Sequence, residues 1–461
     1  MRLFRRSFLI LPVLSVLHVA AQDNSPYSRY GLGDIIPAGN ASTRGMGGIS
    51  AGFRDPLFMS VNFGNPASYS NTWALKERTT GRLEAGRVVL DVGVNIDSRT
   101  LREPNNPQRF TSTNAQFSYV QLALPLKQNW GLAFGIRPLT RVGYKQVRNE
   151  RLTDPNTGQQ IENATTEFSG DGGAFLPTLG TGFAIKNFSA GINVGYLFGK
   201  KEISTRRTII NDTVLYNPGR FTNRSSFGDL FLNAGIQYSI PLNTETRLVL
   251  GVAGNWKQVL NASQDISRET FVRGAAGEEF RLDSVYIQND IEGEVIYPAS
   301  FTYGFTVSHD ATQTGKGWLI GADLGQTQWS QYRFFGAADS VSNNWTIRVG
   351  GQLSPSLKGY TSRGYFQKVT YRAGFFTGTD YINITDTKGQ LKQLPVMGVT
   401  FGMGLPFGGR NAYSRNQTSM INLGLEYSRR GDADSRLKDN LFRVSASFNL
   451  ADLWFGKRRY D

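Results

Sequence analysis

The sequence predicts an all-β fold: a transmembrane, antiparallel, up-and-down β-barrel of about fourteen strands, preceded by a compact irregular N-terminal segment. Three observations carry this. The chain opens on an export signal, no later window holds a long uninterrupted apolar run, and apolar residues alternate with polar or small ones from about Thr79 to the C-terminus.

The first element is MRLFRRSFLILPVLSVLHVAAQ. Arg2, Arg5 and Arg6 precede an apolar run from Phe8 to Leu17, and Ala20 and Ala21 precede Gln22. This layout predicts a secretory signal over residues 1–21, cleaved after Ala21. The run is too short for a spanning helix, which needs roughly 20 apolar residues. A lipoprotein signal needs a cysteine to acylate, and the chain has none.

With no later helical span, the exported chain crosses a membrane only as strands, if it crosses one. Hydrophobic residues make up 39%, aromatic residues 12%, and there are 52 glycines. That mixture fits an apolar, lipid-facing side and a polar lumen better than a soluble chain of this length, which would divide into several cored domains. The formal charge is +14. Export removes nucleic acid as the partner such a balance would first point to, and leaves anionic lipid head groups or acidic solutes near the barrel mouth.

Residues 22–76 form the second element. Gly31, Gly33, Gly39, Gly45, Gly47, Gly48, Gly52 and Gly64 lie among short polar stretches without sustained alternation, which predicts a compact irregular segment. The barrel is expected over 77–461. In VVLDVGVNI, Val88, Leu90, Val92, Val94 and Ile96 share one face, with Val89, Asp91, Gly93 and Asn95 on the other. Only a strand separates alternate residues in this way. Trp130, Leu132, Phe134 and Ile136 repeat the pattern, as do Phe442, Val444, Ala446, Phe448 and Leu450. Strands are expected to begin near residues 81, 114, 129, 174, 187, 226, 244, 295, 316, 343, 367, 396, 419 and 440. Long polar connections (98–113, 148–173, 203–225, 261–294, 330–342, 378–395) alternate with shorter ones, as expected of a meander that turns on alternate sides of a bilayer.

Several stretches then resemble the FadL-like outer-membrane transporters (OMPP1/FadL/TodX) and the related PorV-like barrels. They are NASTRGMGGISAGFRDPLFMSVNFGNPASYS with its triplet Asn65, Pro66 and Ala67, then WGLAFGIRPLTRVGY, YPASFTYGFTV and WLIGADLGQTQWSQYRFF. NNWTIRVGGQLSP and the terminal FNLADLWFGKRRYD suit the same likeness. The chain departs from many barrels in ending on Asp461 rather than on an aromatic residue, with Tyr460 one place early. The resemblance implies a fourteen-strand barrel in the outer membrane, a hatch, and passive uptake of a hydrophobic, fatty-acid-like ligand. The related PorV-like barrels imply an alternative, a subunit or shuttle of a protein secretion or assembly machine. Outer-membrane lipid is a partner on either reading, and no cofactor is implied.

Three groups of residues are candidates for the functional site. Pro138 falls where the third strand should continue, and proline has no N–H for the ladder and a ring that disturbs pairing. Gly135 and the charged Arg137 loosen the same stretch. The outcome is a bulge or kink, or a plain strand end. The resemblance gives a kink there the meaning of a lateral opening. Asn65, Pro66 and Ala67 make a rigid turn, since the Asn side chain bonds neighbouring backbone and Pro fixes φ. Trp329, Tyr332, Phe334 and Phe335, with Arg333 among them, read as an interfacial aromatic girdle or as an apolar ligand cleft with a cation. No catalytic or metal constellation is legible: His309 and Asp310 stand in VSHDATQTG with no nucleophile at a recognisable spacing.

Overall fold

The structure, a computed structural model, describes residues 25–57, 59–76, 83–104, 106–154, 156–211, 214, 216–274, 278–360, 364–407 and 418–454. The expected export signal and the terminal residues Lys457–Asp461 lie outside them.

Fourteen antiparallel strands close into a barrel. In chain order they are β1 (Leu83–Arg102), β2 (Arg109–Lys127), β3 (Trp130–Thr153), β4 (Gln160–Ile185), β5 (Phe188–Ile210) and β6 (Gly219–Pro241). Next come β7 (Thr246–Asn255 continued by Gln258–Arg273), β8 (Glu279–Tyr297 continued by Ser300–His309), β9 (Gly317–Thr327) and β10 (Asn344–Ser354). The circuit ends with β11 (Thr370–Thr385), β12 (Leu391–Phe407), β13 (Thr418–Arg430) and β14 (Lys438–Trp454). β14 pairs with β1 from Lys438↔Arg102 to Trp454↔Gly86, which leaves no open edge at the seam. Closure matters because hydrocarbon satisfies no free N–H or C=O.

The alternation is inverted relative to a soluble protein. Val94, Ile96, Phe134, Leu179, Val194, Leu232 and Ile347 point outward and are exposed, while Asp91, Asn95, Gln121, Asn422 and Asn449 point inward and are buried. An apolar belt outside and polar groups inside identify a membrane barrel.

One expectation needs correction. Much of the sequence expected as long polar connections is strand, so that β3 and β4, β5 and β6, and β7 and β8 extend through most of 148–173, 203–225 and 261–294 and leave only 154–159, 211–218 and 274–278 between them. The sequence hides this because neither face of these extensions meets lipid, so the period-two apolar signal vanishes while the backbone ladder continues. The barrel is consequently lopsided: β3 to β8 rise together as a six-stranded sheet well above the short strands β9 and β10.

The N-terminal segment lies inside. Met46, Ile49 and Phe53 pack with Leu319 of β9, and Met59, Val61 and Tyr69 pack with Val89, Ala123, Ala133, Met420 and Ala451 of the wall. Its seat is a ring of inward-facing glycines. Gly182, Gly191 and Gly235 leave no room for a Cβ against Asn65 and Pro66, nor do Gly350 and Gly374 against Met46 and Gly47.

Candidate functional site: a side slot beside a luminal cavity

The wall has a slot between β2 and β3. These strands pair from Lys127↔Trp130 to Val120↔Ile136 and no further. β2 continues to Arg109 bonded only to β1, whereas β3 continues to Thr153 bonded to β4. The separation begins at the predicted stretch. Gly135 and Ile136 hold the last paired positions, Arg137 follows, and the β3–β4 register shifts between Pro138 and Thr140, leaving Leu139 as the extra residue. Inward–outward alternation also lapses there, since Pro138, Leu139 and Thr140 are all buried. A proline without an N–H suits a strand position where the partner is lost.

Residues of the N-terminal segment occupy the slot. Asp34 and Ile35 form a two-residue strand opposite Arg141 and Thr140 of β3. Ile36 N–H donates to the Leu139 carbonyl at 3.0 Å and Ser25 N–H to that of Gly143 at 2.8 Å. Phe63 spans the gap, with its ring 5.3 Å from that of Tyr119 on β2 and the Arg137 guanidinium of β3 5.7 Å from its centroid. Neither Phe63 nor Ile35 carries a sequence signal that would have singled it out.

Asn65 caps the 3₁₀ turn Pro66–Ser70. Its Oδ1 accepts from Ala67 N–H at 3.0 Å, and its Nδ2 donates to the Ala51 carbonyl at 2.7 Å and to that of Ile236 on β6 at 3.3 Å. The triplet therefore ties two parts of the segment to each other and to the wall.

Above it, ion pairs join the segment to four strands. Asp34 lies 3.2 Å from Arg99 of β1 and 3.0 Å from Arg430 of β13. Arg99 also meets Asp439 of β14, Arg430 meets Asp380 of β11 at 3.0 Å, and the Arg430 guanidinium stands 5.2 Å from the Tyr27 ring centroid. Burial raises the Asp34 carboxyl, but Arg430 and then Arg99 more than offset this and hold it below the usual carboxylate range.

Between the segment and the wall lies a cavity of about 390 Å³, within the size range of small-ligand sites. It reaches the slot at Ile35, Ile36, Pro37 and Leu139, and its walls mix these apolar groups with guanidinium groups. Arg44 is buried, with Nε and Nη1 lacking hydrogen-bond partners, and burial followed by the nearby Arg443 pushes its pKa down to about 10, so it stays charged at neutral pH.

The aromatic cluster is not where a girdle or an open cleft would put it. Trp329 and Tyr332 are each 1% exposed and belong to an interior core with Tyr27, Leu32, Leu139 and Tyr381. Trp329 stacks on Tyr381 at 4.2 Å and touches the cavity. Arg333 donates to the Ser330 and Tyr332 carbonyls, Phe334 sits under the Lys201 ammonium at 5.4 Å, and Phe335 turns the chain with a positive φ. The cause is that the stretch after β9 folds over the barrel mouth and pairs back onto β8 at Val295 and Ile296. His309 ends β8 at the short-turn rim, stacked on Trp318 and 3.4 Å from Glu245.

The family described as BamG matches residues 3–461. Among solved structures, the chain is similar to a Pseudomonas aeruginosa FadL homologue at 13% identity, covering 93% of this chain and 100% of that one, with a TM-score of 0.49. It is also similar to the P. putida toluene transporter TodX (14% identity, 90% and 99% covered, TM-score 0.48) and the Ralstonia pickettii toluene transporter TbuX (14%, 90% and 98%, TM-score 0.47). No curated protein matches the chain.

Proposed function

For this chain, which belongs to the BamG family, we propose passive passage of a hydrophobic molecule across the outer membrane, with exit sideways through the slot between β2 and β3. The observation that carries the reading is the slot itself, filled by residues of a non-covalently held segment and continuous with a luminal cavity. Lateral exit spares an apolar chain the aqueous space beneath the membrane, a saving of about 0.8 kcal/mol per CH₂ kept from water. Long-chain fatty acids are the reference substrate, since Arg44, Arg137 and Arg348 face the cavity that would take the carboxylate. Residues 22–76 act as the hatch on this reading. Expression of the barrel in cells lacking other uptake routes should raise entry of labelled oleate, and no rise would remove the proposal.

A second reading, a PorV-like subunit or shuttle of a secretion or assembly machine, is favoured by one observation: the six-stranded sheet of β3 to β8 stands well beyond the apolar belt, where transport has no need of it. Native mass spectrometry from mild detergent separates the two. Bound fatty acid alone favours uptake, and a stoichiometric protein partner favours the second.

A further inference from the structure

The tall sheet ends on an open edge. β8 pairs with β7 along Glu279–Tyr297, yet over that stretch its other side meets strand only at Val295 and Ile296, and Glu294 accepts one further bond, from Phe335 N–H. Among the described residues, no second strand pairs with Phe280–Glu292, and of its backbone N–H groups that of Ser284 turns to the Asp283 carboxylate. Edges of this kind are ordinarily blunted by charge, proline or cover, because they recruit other strands.

This one carries large apolar side chains among its charges, on a strand whose register with β7 shifts at three places. Phe280, Leu282, Val285, Tyr286 and Ile287 are all exposed, Val285 at 75%. Lipid does not account for them. The outward belt on β8 includes Tyr303 and Phe305, and Val285 lies tens of ångströms beyond it by the rise of a tilted strand. The edge is held firmly from behind. Glu279 takes ion pairs from Arg206 at 2.8 Å and Arg220 at 3.1 Å, and Phe271 of β7 is fully buried between those two guanidinium groups. Its charge is one-sided for so basic a chain: Asp283, Asp290, Glu292 and Glu294 stand along it with Arg281 as the single cation.

We infer that the β8 edge over Phe280–Glu292 is a docking site for an extended segment of another protein, one that alternates apolar and basic residues and adds to the tall sheet as a strand. The open ladder selects an extended backbone, since only another strand satisfies such a row. The exposed apolar side chains supply contact area, and the carboxylates select a basic partner. They also disfavour the same edge of a second copy, which would set acid against acid. The inference does not depend on what passes through the slot.

The test uses the whole barrel in detergent and a synthetic peptide of alternating valine and lysine. The chain has no cysteine, so Val285→Cys carries a single environment-sensitive fluorophore. The expected result is a spectral shift on adding peptide, with amide exchange over residues 280–291 slowed at least about tenfold. Leu282→Lys with Ile287→Lys, both at exposed positions, should weaken binding by at least about tenfold while the barrel keeps its folded mobility. The proposal is overturned if the amides gain no protection, if a peptide N-methylated at alternate amides binds equally well, or if the edge is instead covered by a second copy of the chain.

Discussion

Ile35 of the N-terminal segment stands opposite Thr140 of β3, in the place that β2 vacates above Val120. A wall strand thus exchanges a barrel partner for a piece of the N-terminal segment, held there by backbone hydrogen bonds and by the ion pairs of Asp34. Residues 25–36 are what covers this stretch of β3.

Asn65→Ala removes a fully buried amide and orphans the Ala67 N–H, while the Ala51 carbonyl keeps only its bond from Gln237 Nε2. The cost should be about 1–3 kcal/mol. It should fall on the segment rather than on the barrel. Planar-bilayer recordings should show higher conductance with an unchanged barrel melting temperature, and unchanged conductance would count against a plug.

Gly182→Val places a side chain where the Pro66 carbonyl now rests. Strand propensity improves, so the barrel should form, while the Pro66–Ser70 turn is pushed off the wall. Limited proteolysis should then cut within residues 60–72, which should resist in the parent.

Acid should loosen the segment through Asp34. Its folded pKa is below its unfolded value, about 3.9 for an unperturbed aspartate. The stabilisation is therefore fully present above that value and lost as pH falls through the lower, folded one. Conductance should stay low from neutral pH to about pH 4 and rise below it. Asp34→Asn leaves Arg99 and Arg430 without that carboxylate, and should cost about 3 kcal/mol and leave the barrel leaky at neutral pH.

Pro138→Val restores an N–H at the start of the register shift. The β3–β4 ladder should become regular from Ile136 to Thr140, narrowing the slot and slowing uptake of apolar substrate several-fold. A regularised ladder with unchanged uptake would remove Pro138 from any gating role.

The barrel was legible because lipid imposes a pattern: Val92, Val94 and Ile96 must alternate with Asp91, Asn95 and Asp97, and the count of fourteen follows from fourteen such runs. Where lipid ends, so does legibility. Residues 280–290 are exposed on both faces of their strand and read as loop, though backbone bonds tie them to β7. Pro138 was visible because proline's chemistry is local. Trp329 was left between two readings because an aromatic residue looks the same in a girdle and beside an interior cavity, and only the return of Arg333 and Phe334 onto β8 puts it inside. The glycine seat was missed for a related reason: Gly182, Gly191 and Gly235 are defined by what rests on them, and Asn65 and Pro66 are far away in sequence.

Locking the slot tests the central claim most directly. Ile35 and Thr140 are register partners, so Ile35→Cys with Thr140→Cys should form a disulfide across the pair in a chain that has no other cysteine. With the bond formed, uptake of labelled oleate should fall at least about tenfold and return on reduction. Uptake that continues at the parent rate with the disulfide fully formed would contradict lateral passage through the slot.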